Sequence, residues 1–277
     1  MSENPESFIR AIDARATRVE TPCGDGTMVW RRWGDGPPLV FFHGASGAWT
    51  HWIRTIEDLS TDHTLWIPDL PGNGESVQPM PHNDIDAAAA AVLQGLDIIL
   101  PRETFRVVAF SAGLVLGAEA ASRRAGRVDQ LVVASAGAVG PIVPLPMRSL
   151  RGITDPDEID AVNRHNLATL MLADPHNVDD LALFIHRENS RRGRFHLRYI
   201  EEGAPALDRL KTVRAPVAVI WGGLDAARPD VTHYRQLFDE LRPGLPFHVI
   251  DGAGHWVMYD APARFNATLR TLLAGRP

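Results

Sequence analysis

Short apolar runs alternate with amphipathic stretches along most of the chain. The runs 37–44 (PPLVFFHG), 63–72 (HTLWIPDLPG), 106–110 (RVVAF), 127–137 (RVDQLVVASAG), 215–222 (APVAVIWG) and 246–252 (PFHVIDG) have strand length and mostly end in glycine or a turn. Residues 17–33 read as two strands around the turn Gly24-Asp25-Gly26. Between the runs, residues 51–60, 86–100, 112–124, 230–241 and 261–273 place apolar side chains at helical spacing. Short, nearly continuous apolar strands alternating with amphipathic helices predict a mostly parallel, doubly wound α/β sheet with helices on both faces.

The alternation lapses between 138 and 210. A stretch rich in proline and glycine, Gly140-Pro141 to Pro146, leads into segments with no β-branched run. Thr154 and Asp155 are candidate helix caps. Pro156 falls in the first turn, and Asp157 and Glu158 lie near the positive end of the helix dipole. Ile159, Val162, Leu167, Leu170 and Met171 supply the apolar spacing. A second helix is expected in NVDDLALFIHRENSRRGRF, with Asn177 as its cap. The chain therefore divides into an α/β core, 1–137 and 211–277, and a helical insertion, 138–210.

Composition narrows the class. With 277 residues, 45% hydrophobic and 22% charged, the chain suits one large core carrying an insertion. A formal net charge of −6 argues against nucleic acid or an anionic membrane as partner. The single cysteine, Cys23, excludes an internal disulfide or a cysteine metal cluster and suits a reducing compartment. The N-terminus has no apolar core followed by a cleavage site. No stretch reaches the roughly 18 apolar residues of a membrane helix. A soluble, cytoplasmic protein is the expectation.

Ligands of a doubly wound sheet bind beyond the carboxyl ends of its strands. Three polar residues follow strands there: Ser111 after RVVAF, Asp225 after VAVIWGGL and His255 after FHVIDGAG. Each has an ordinary explanation. Serine caps helices, aspartate makes turns, and most of the 11 histidines must be structural. Together they form a chemical set. A serine hydroxyl needs a base to take its proton, and the base needs an anion to fix its tautomer. An oxyanion also needs N–H donors. The amide of Ala112, directly after Ser111, is one candidate, and that of Ala45 in HGASGAW is the other.

The segments HGASG (43–47), DLPGNGES (69–76), AFSAG (109–113), WGGLD (221–225) and GAGHW (252–256) occur in an order and spacing that resembles the α/β-hydrolase superfamily over nearly the whole chain. The resemblance implies an α/β-hydrolase fold with a helical cap at 138–210. It implies a triad of Ser111, Asp225 and His255, and an oxyanion hole at Ala45 and Ala112. It further implies that His43 shapes the oxyanion loop. Asp69 also follows a strand, but DLPGNGES reads as a structural turn. One position departs from the G-x-S-x-G elbow: Ala109 stands where the first glycine is usual. The C-terminal GAGHWVMYDAPARFNATLRTLL is similar to that of hydrolases that cleave carbon–carbon bonds in aromatic ring-cleavage products. Phe110 before the serine and the HGASG loop differ from those enzymes and keep ester and lactone substrates open.

Phe110 and Trp256 are candidate pocket residues. Arg187, Arg191, Arg194 and Arg198 follow one helical face. That face is either solvated or, with Arg191 as the candidate, turns one guanidinium toward a substrate carboxylate. The expected function is serine-dependent hydrolysis of a small-molecule ester, lactone or carbon–carbon bond, with no metal or organic cofactor. Oligomeric state is left open. A non-catalytic small-molecule-binding protein on the same scaffold, or a cofactor-free peroxidase-like activity, are the alternatives.

Overall fold

In the computed structural model, residues 4–140, 142–195 and 205–275 are described. Eight strands form one sheet in the order β1-β2-β4-β3-β5-β6-β7-β8. They are β1 Thr17–Cys23, β2 Gly26–Trp33, β3 Pro38–Phe42, β4 Thr64–Pro68, β5 Phe105–Ser111, β6 Val128–Ala136, β7 Val217–Gly222 and β8 Phe247–Ile250. The expected hairpin β1-β2 is antiparallel, and β2 pairs antiparallel with β4. Every later pairing is parallel. This is the mostly parallel, doubly wound sheet that the pattern implies.

Strand alternation sorts side chains into two core layers. Along β3, Val40 and Phe42 enter one layer, while Leu39 and Phe41 enter the other. The first layer is covered by α3 (Ile85–Ile99) and α4 (Gly113–Arg123), the second by α2 (Ile53–Leu59) and the C-terminal helix Pro262–Ala274. The strands read as continuous apolar runs because both faces are buried.

A helix absent from the pattern reading, α1 (Pro5–Asp13), lies before the sheet. Asn4 caps it by accepting from the Glu6 amide, and proline occupies its first position. Ile12 buries, and the Trp33 indole donates to its carbonyl at 3.0 Å. The lone Cys23 is also buried. Burial, then the charge of Asp25, pushes its thiol up to about 11, so it stays protonated.

The elements between β6 and β7 are largely helical. Asp155 caps α5 (Pro156–Asn166) through the amides of Asp157 and Glu158. A single π-helical turn follows at Leu167–Met171. Asp179, not Asn177, caps α6 (Asp180–Arg192) by accepting from the Ala182 amide at 2.8 Å. The Asn177 amide is engaged elsewhere, donating to the backbone and carboxylate of Asp260. Helix α7 (Pro205–Thr212) crosses the expected boundary at 210 and buries Ala206 and Leu210 in the first core layer. Among the described residues no helix is long and apolar enough to cross a membrane.

Ala109 at the elbow has a local explanation. Its methyl group faces Gly117 on α4, where an added Cβ would lie 2.7 Å from the Ala109 Cβ. The space usually left by glycine on the strand is here left by glycine on the helix. Gly117→Ala should therefore destabilise the fold by about 1–3 kcal/mol despite the helix-favouring change. Adding Ala109→Gly should recover part of the loss, as read by urea denaturation. Equal stability of Gly117→Ala and the parent would refute this packing account.

Candidate active site

β5 ends at Ser111, whose φ of 49° is left-handed. A side chain other than glycine pays for that conformation, so the surroundings must hold it. They do so by close approach. Ala112 is the N-cap residue of α4, and the helix starts at Gly113, where a Cβ would come 2.3 Å from the His43 carbonyl. The chain thus reverses at the sheet edge, with the half-buried Ser111 at its tip.

His255 reaches Ser111 from the loop after β8. Its Nε2 lies 2.9 Å from the Ser111 Oγ, and its Nδ1 lies 2.7 Å from an Asp225 carboxylate oxygen. Nδ1–H donates to the carboxylate, leaving Nε2 free to accept from the hydroxyl. Asp225 is wholly buried, and its other oxygen accepts from the Ala227 amide at 3.0 Å. The three residues expected at this edge are therefore in one hydrogen-bonded line.

The histidine loop is held from two sides. Leu224 N–H donates to the Ala253 carbonyl at 2.8 Å, tying it to the loop of Asp225. On the other side, the buried Asp260 carboxylate accepts from the amides of Gly254 and Ala173, at 2.7 and 2.8 Å. Trp256 N–H donates to the Met171 carbonyl at 2.8 Å. Both chain neighbours of His255 are thereby bonded to, or share a partner with, the segment after α5. Arg54 reinforces this junction. It donates to Asp179, Asn177 and the Tyr259 carbonyl, and stacks 3.7 Å from the Tyr259 ring centroid.

The residues of the expected oxyanion donors, Ala45 and Ala112, line one small cavity of about 30 Å³ together with Leu70, Ala88 and Leu116. Below this loop His43 is fully buried, and that burial holds its pKa below the ordinary value. Its Nδ1 donates to the Gly44 carbonyl and its Nε2 accepts from the Leu70 amide. With both nitrogens occupied it is a scaffold, as the resemblance implied. Asp69 likewise ties its turn, accepting from the amides of Trp49 and Glu75.

Phe110 and Trp256 do not wall an open pocket. Both are buried, Phe110 with its ring 5.2 Å from that of His255, and Trp256 stacked on Tyr259 at 4.2 Å. Strand alternation turns Phe110 into the second core layer, away from the side where Ser111 emerges. The structure does not bring Arg191 to Ser111 either. Its exposed guanidinium pairs with Glu188 at 2.8 Å. Arg187 pairs with Asp160, and Arg194 donates to the Ser76 carbonyl. The reason is the face: Ala182, Leu183, Ile185 and Asn189 are the buried residues of α6, Arg187 and Arg191 occupy the opposite side, and Arg194 lies beyond the helix end at Arg192. Arg198 lies outside the described residues.

Sequence reasoning passed over His51. It is buried, with its ring 5.1 Å from Trp256 and 5.5 Å from Phe110. Burial lowers its pKa well below the usual value, and His43, His186 and His255 add to the effect. Nothing in THW distinguishes it from the other histidines.

Comparison with known proteins adds an independent line. Residues 39–268 match the family described as "Alpha/beta hydrolase family". A 2-hydroxy-6-oxononadienedioate/2-hydroxy-6-oxononatrienedioate hydrolase of Paraburkholderia phymatum is 26% identical over 268 residues, covering 92% of this chain and 89% of the relative. Among solved structures, the esterase RhEst1 from a Rhodococcus species superposes with a TM-score of 0.76 at 23% identity, over 94% of this chain and 99% of that one. The meta-cleavage product hydrolase CumD superposes with a TM-score of 0.72 at 23% identity, over 91% and 97%. These structural likenesses establish the fold.

The buried His43 and His51 and the partly buried His186 set an acid limit. His43, His51 and His186 have lowered pKa values in the folded chain, each chiefly through burial. Below about pH 6.5 the unfolded chain binds protons that the folded chain refuses. Their stabilisation is thus complete above that pH and is lost as pH falls through the lowered values. Unfolding free energy should drop between pH 7 and 5, by up to about 1.4 kcal/mol per pH unit for each histidine. Urea midpoints across that range measure it. A flat profile would contradict the burial assignment.

Proposed function

The chain belongs to the alpha/beta hydrolase family and is a hydrolase; on that premise we propose that it acts through a Ser111–His255–Asp225 triad on an acyl bond of a small molecule. The observation that carries this reading is the unbroken line from the Asp225 carboxylate through both nitrogens of His255 to the Ser111 hydroxyl.

Ser111 Oγ attacks the carbonyl carbon while its proton passes to His255 Nε2. Asp225 keeps His255 in the Nδ1–H tautomer and stabilises the imidazolium that forms. The carbonyl oxygen becomes an oxyanion facing the amides of Ala112 and Ala45. The N-terminal end of α4 adds the favourable field of its free amides. His255 then returns the proton to the leaving group, and water reverses the sequence to free Ser111. Helices α5 and α6 form the cap over this edge and set what enters.

Carbon–carbon bond cleavage is the second reading. The Paraburkholderia phymatum relative, which acts on dienedioate and trienedioate substrates by its name, favours it. The same residues serve, with the returned proton going to carbon instead of oxygen.

Ser111→Ala should lower turnover of a p-nitrophenyl ester by on the order of 10³-fold or more while the circular dichroism spectrum is retained. A fluorophosphonate probe should label the parent at Ser111 and leave the variant unlabelled. Turnover within tenfold of the parent would remove Ser111 from the mechanism. Asp225→Asn keeps the size of the side chain but favours the wrong imidazole tautomer. It should depress kcat by on the order of 10⁴-fold with little change in KM. A near-neutral effect would place the triad acid elsewhere.

A further inference from the structure

Among the described residues two arginines are almost completely buried, and they differ in one respect. Arg31 is 3% exposed and faces three carboxylates, those of Asp13, Asp69 and Glu75, with the Trp49 ring 5.1 Å away. Arg228 is 4% exposed. Among the described residues, no carboxylate pairs with it and no aromatic ring stacks beneath it, and its Nε is buried without a hydrogen-bond partner. A buried cation is costly unless paired and hydrogen-bonded. Arg31 meets that requirement, and Arg228 does not among the described residues.

The position of Arg228 gives the vacancy a meaning. It lies three residues after Asp225 in the loop leaving β7, and its own amide closes a turn onto the Asp225 carbonyl at 3.1 Å. Asp225 is not its partner: the two Asp225 oxygens meet His255 Nδ1 and the Ala227 amide, and neither pairs with the Arg228 guanidinium. The inserted segment crosses the same loop, where Val143 N–H donates to the Ala227 carbonyl at 3.1 Å. Arg228 is thus at the carboxyl edge of the sheet, where that edge meets the insertion. β7 is two strands from β5 in the sheet order. Adjacent strands lie about 4.8 Å apart, so the Arg228 loop begins on the order of 10 Å from the Ser111 elbow.

We propose that Arg228 anchors a carboxylate carried at the far end of the substrate, so that this hydrolase prefers acidic, dicarboxylate-derived substrates spanning on the order of 10 Å to neutral ones of equal length. The proposal rests on the serine-hydrolase reading for the location of the reacting carbonyl. A guanidinium matches a carboxylate with two parallel N–H···O bonds, and the anion supplies the counter-charge that the fold withholds. Arg228 touches substrate without entering the bond-breaking steps. It fills the role expected of one arginine among Arg187, Arg191, Arg194 and Arg198 turned toward a substrate carboxylate.

The test compares the mono-p-nitrophenyl ester of octanedioic acid with p-nitrophenyl octanoate. Wild type should show a higher kcat/KM for the acidic ester. Arg228→Met should cut the acidic-to-neutral ratio at least tenfold, and Arg228→Lys should cut it less. Arg228→Gln serves as a third variant should the Met variant fail to fold. Calorimetry with octanedioate on Ser111→Ala provides a readout free of turnover. Its affinity should fall at least tenfold when Arg228→Met is added. Parallel loss on both esters, or octanedioate binding that ignores Arg228, would overturn the proposal and make Arg228 a structural element. If wild type hydrolyses neither ester, the serine-hydrolase reading fails, and calorimetry still decides whether Arg228 holds a carboxylate.

Discussion

Ser111 occupies a left-handed backbone conformation at the end of β5, and the centre of the molecule is arranged to keep it there. The turn needs α4 to pass within contact of the β3 loop, which only Gly113 allows at that point. It needs α4 and β5 to lie close one turn later, which the Ala109–Gly117 pair allows. It also needs the β3 loop itself to be rigid, and His43 supplies this with one hydrogen bond in each direction. Remove any of these and the backbone can relax toward the ordinary strand conformation. The serine hydroxyl would then leave the line of His255.

Buried charge is handled in three ways in the same chain. Asp225 is wholly buried, yet His255 and a backbone amide meet its oxygens. Arg31 is surrounded by three carboxylates, one from α1 and two from the turn after β4, and so fastens both to β2. His43 and His51 avoid the difficulty by staying neutral. Each solution matches a role: an orienting anion, a structural tie and an uncharged scaffold. Arg228 fits none of them, and that mismatch singles it out.

Much of this was legible in the sequence, for physical reasons. Parallel strands buried on both faces leave near-continuous apolar runs, so 106–110 and 215–222 could hardly be read otherwise. Asp225, Ser111 and His255 were found because a doubly wound sheet concentrates chemistry at one edge. The resemblance then added their roles. Other features left weaker traces. Helix α1 has an Asn-Pro start but only nine residues, too few for a clear period. Asn177 and Asp179 are both acceptable caps in isolation, and a long-range bond to Asp260 decided between them. Of the expected arginine face, only Arg187 and Arg191 lie on α6, which ends at Arg192, and periodicity alone cannot say which face meets water. Arg228 was invisible for a related reason: a sequence displays a charge, while its burial and its missing partner exist only in three dimensions.

The bonds around Asp260 bear on how such an enzyme could change. Gly254 and Ala173 share that carboxylate, and Trp256 hangs from Met171. The inserted helices are consequently part of the mounting of the histidine. They are not a detachable module. Swapping in the corresponding helices of a relative would replace the groups that hold the His255 loop. The chain is therefore freer to change in parts of the insertion that do not touch Gly254, Trp256 or Asp260. The stretch from Met171 to Asn177 is bound to travel with the core.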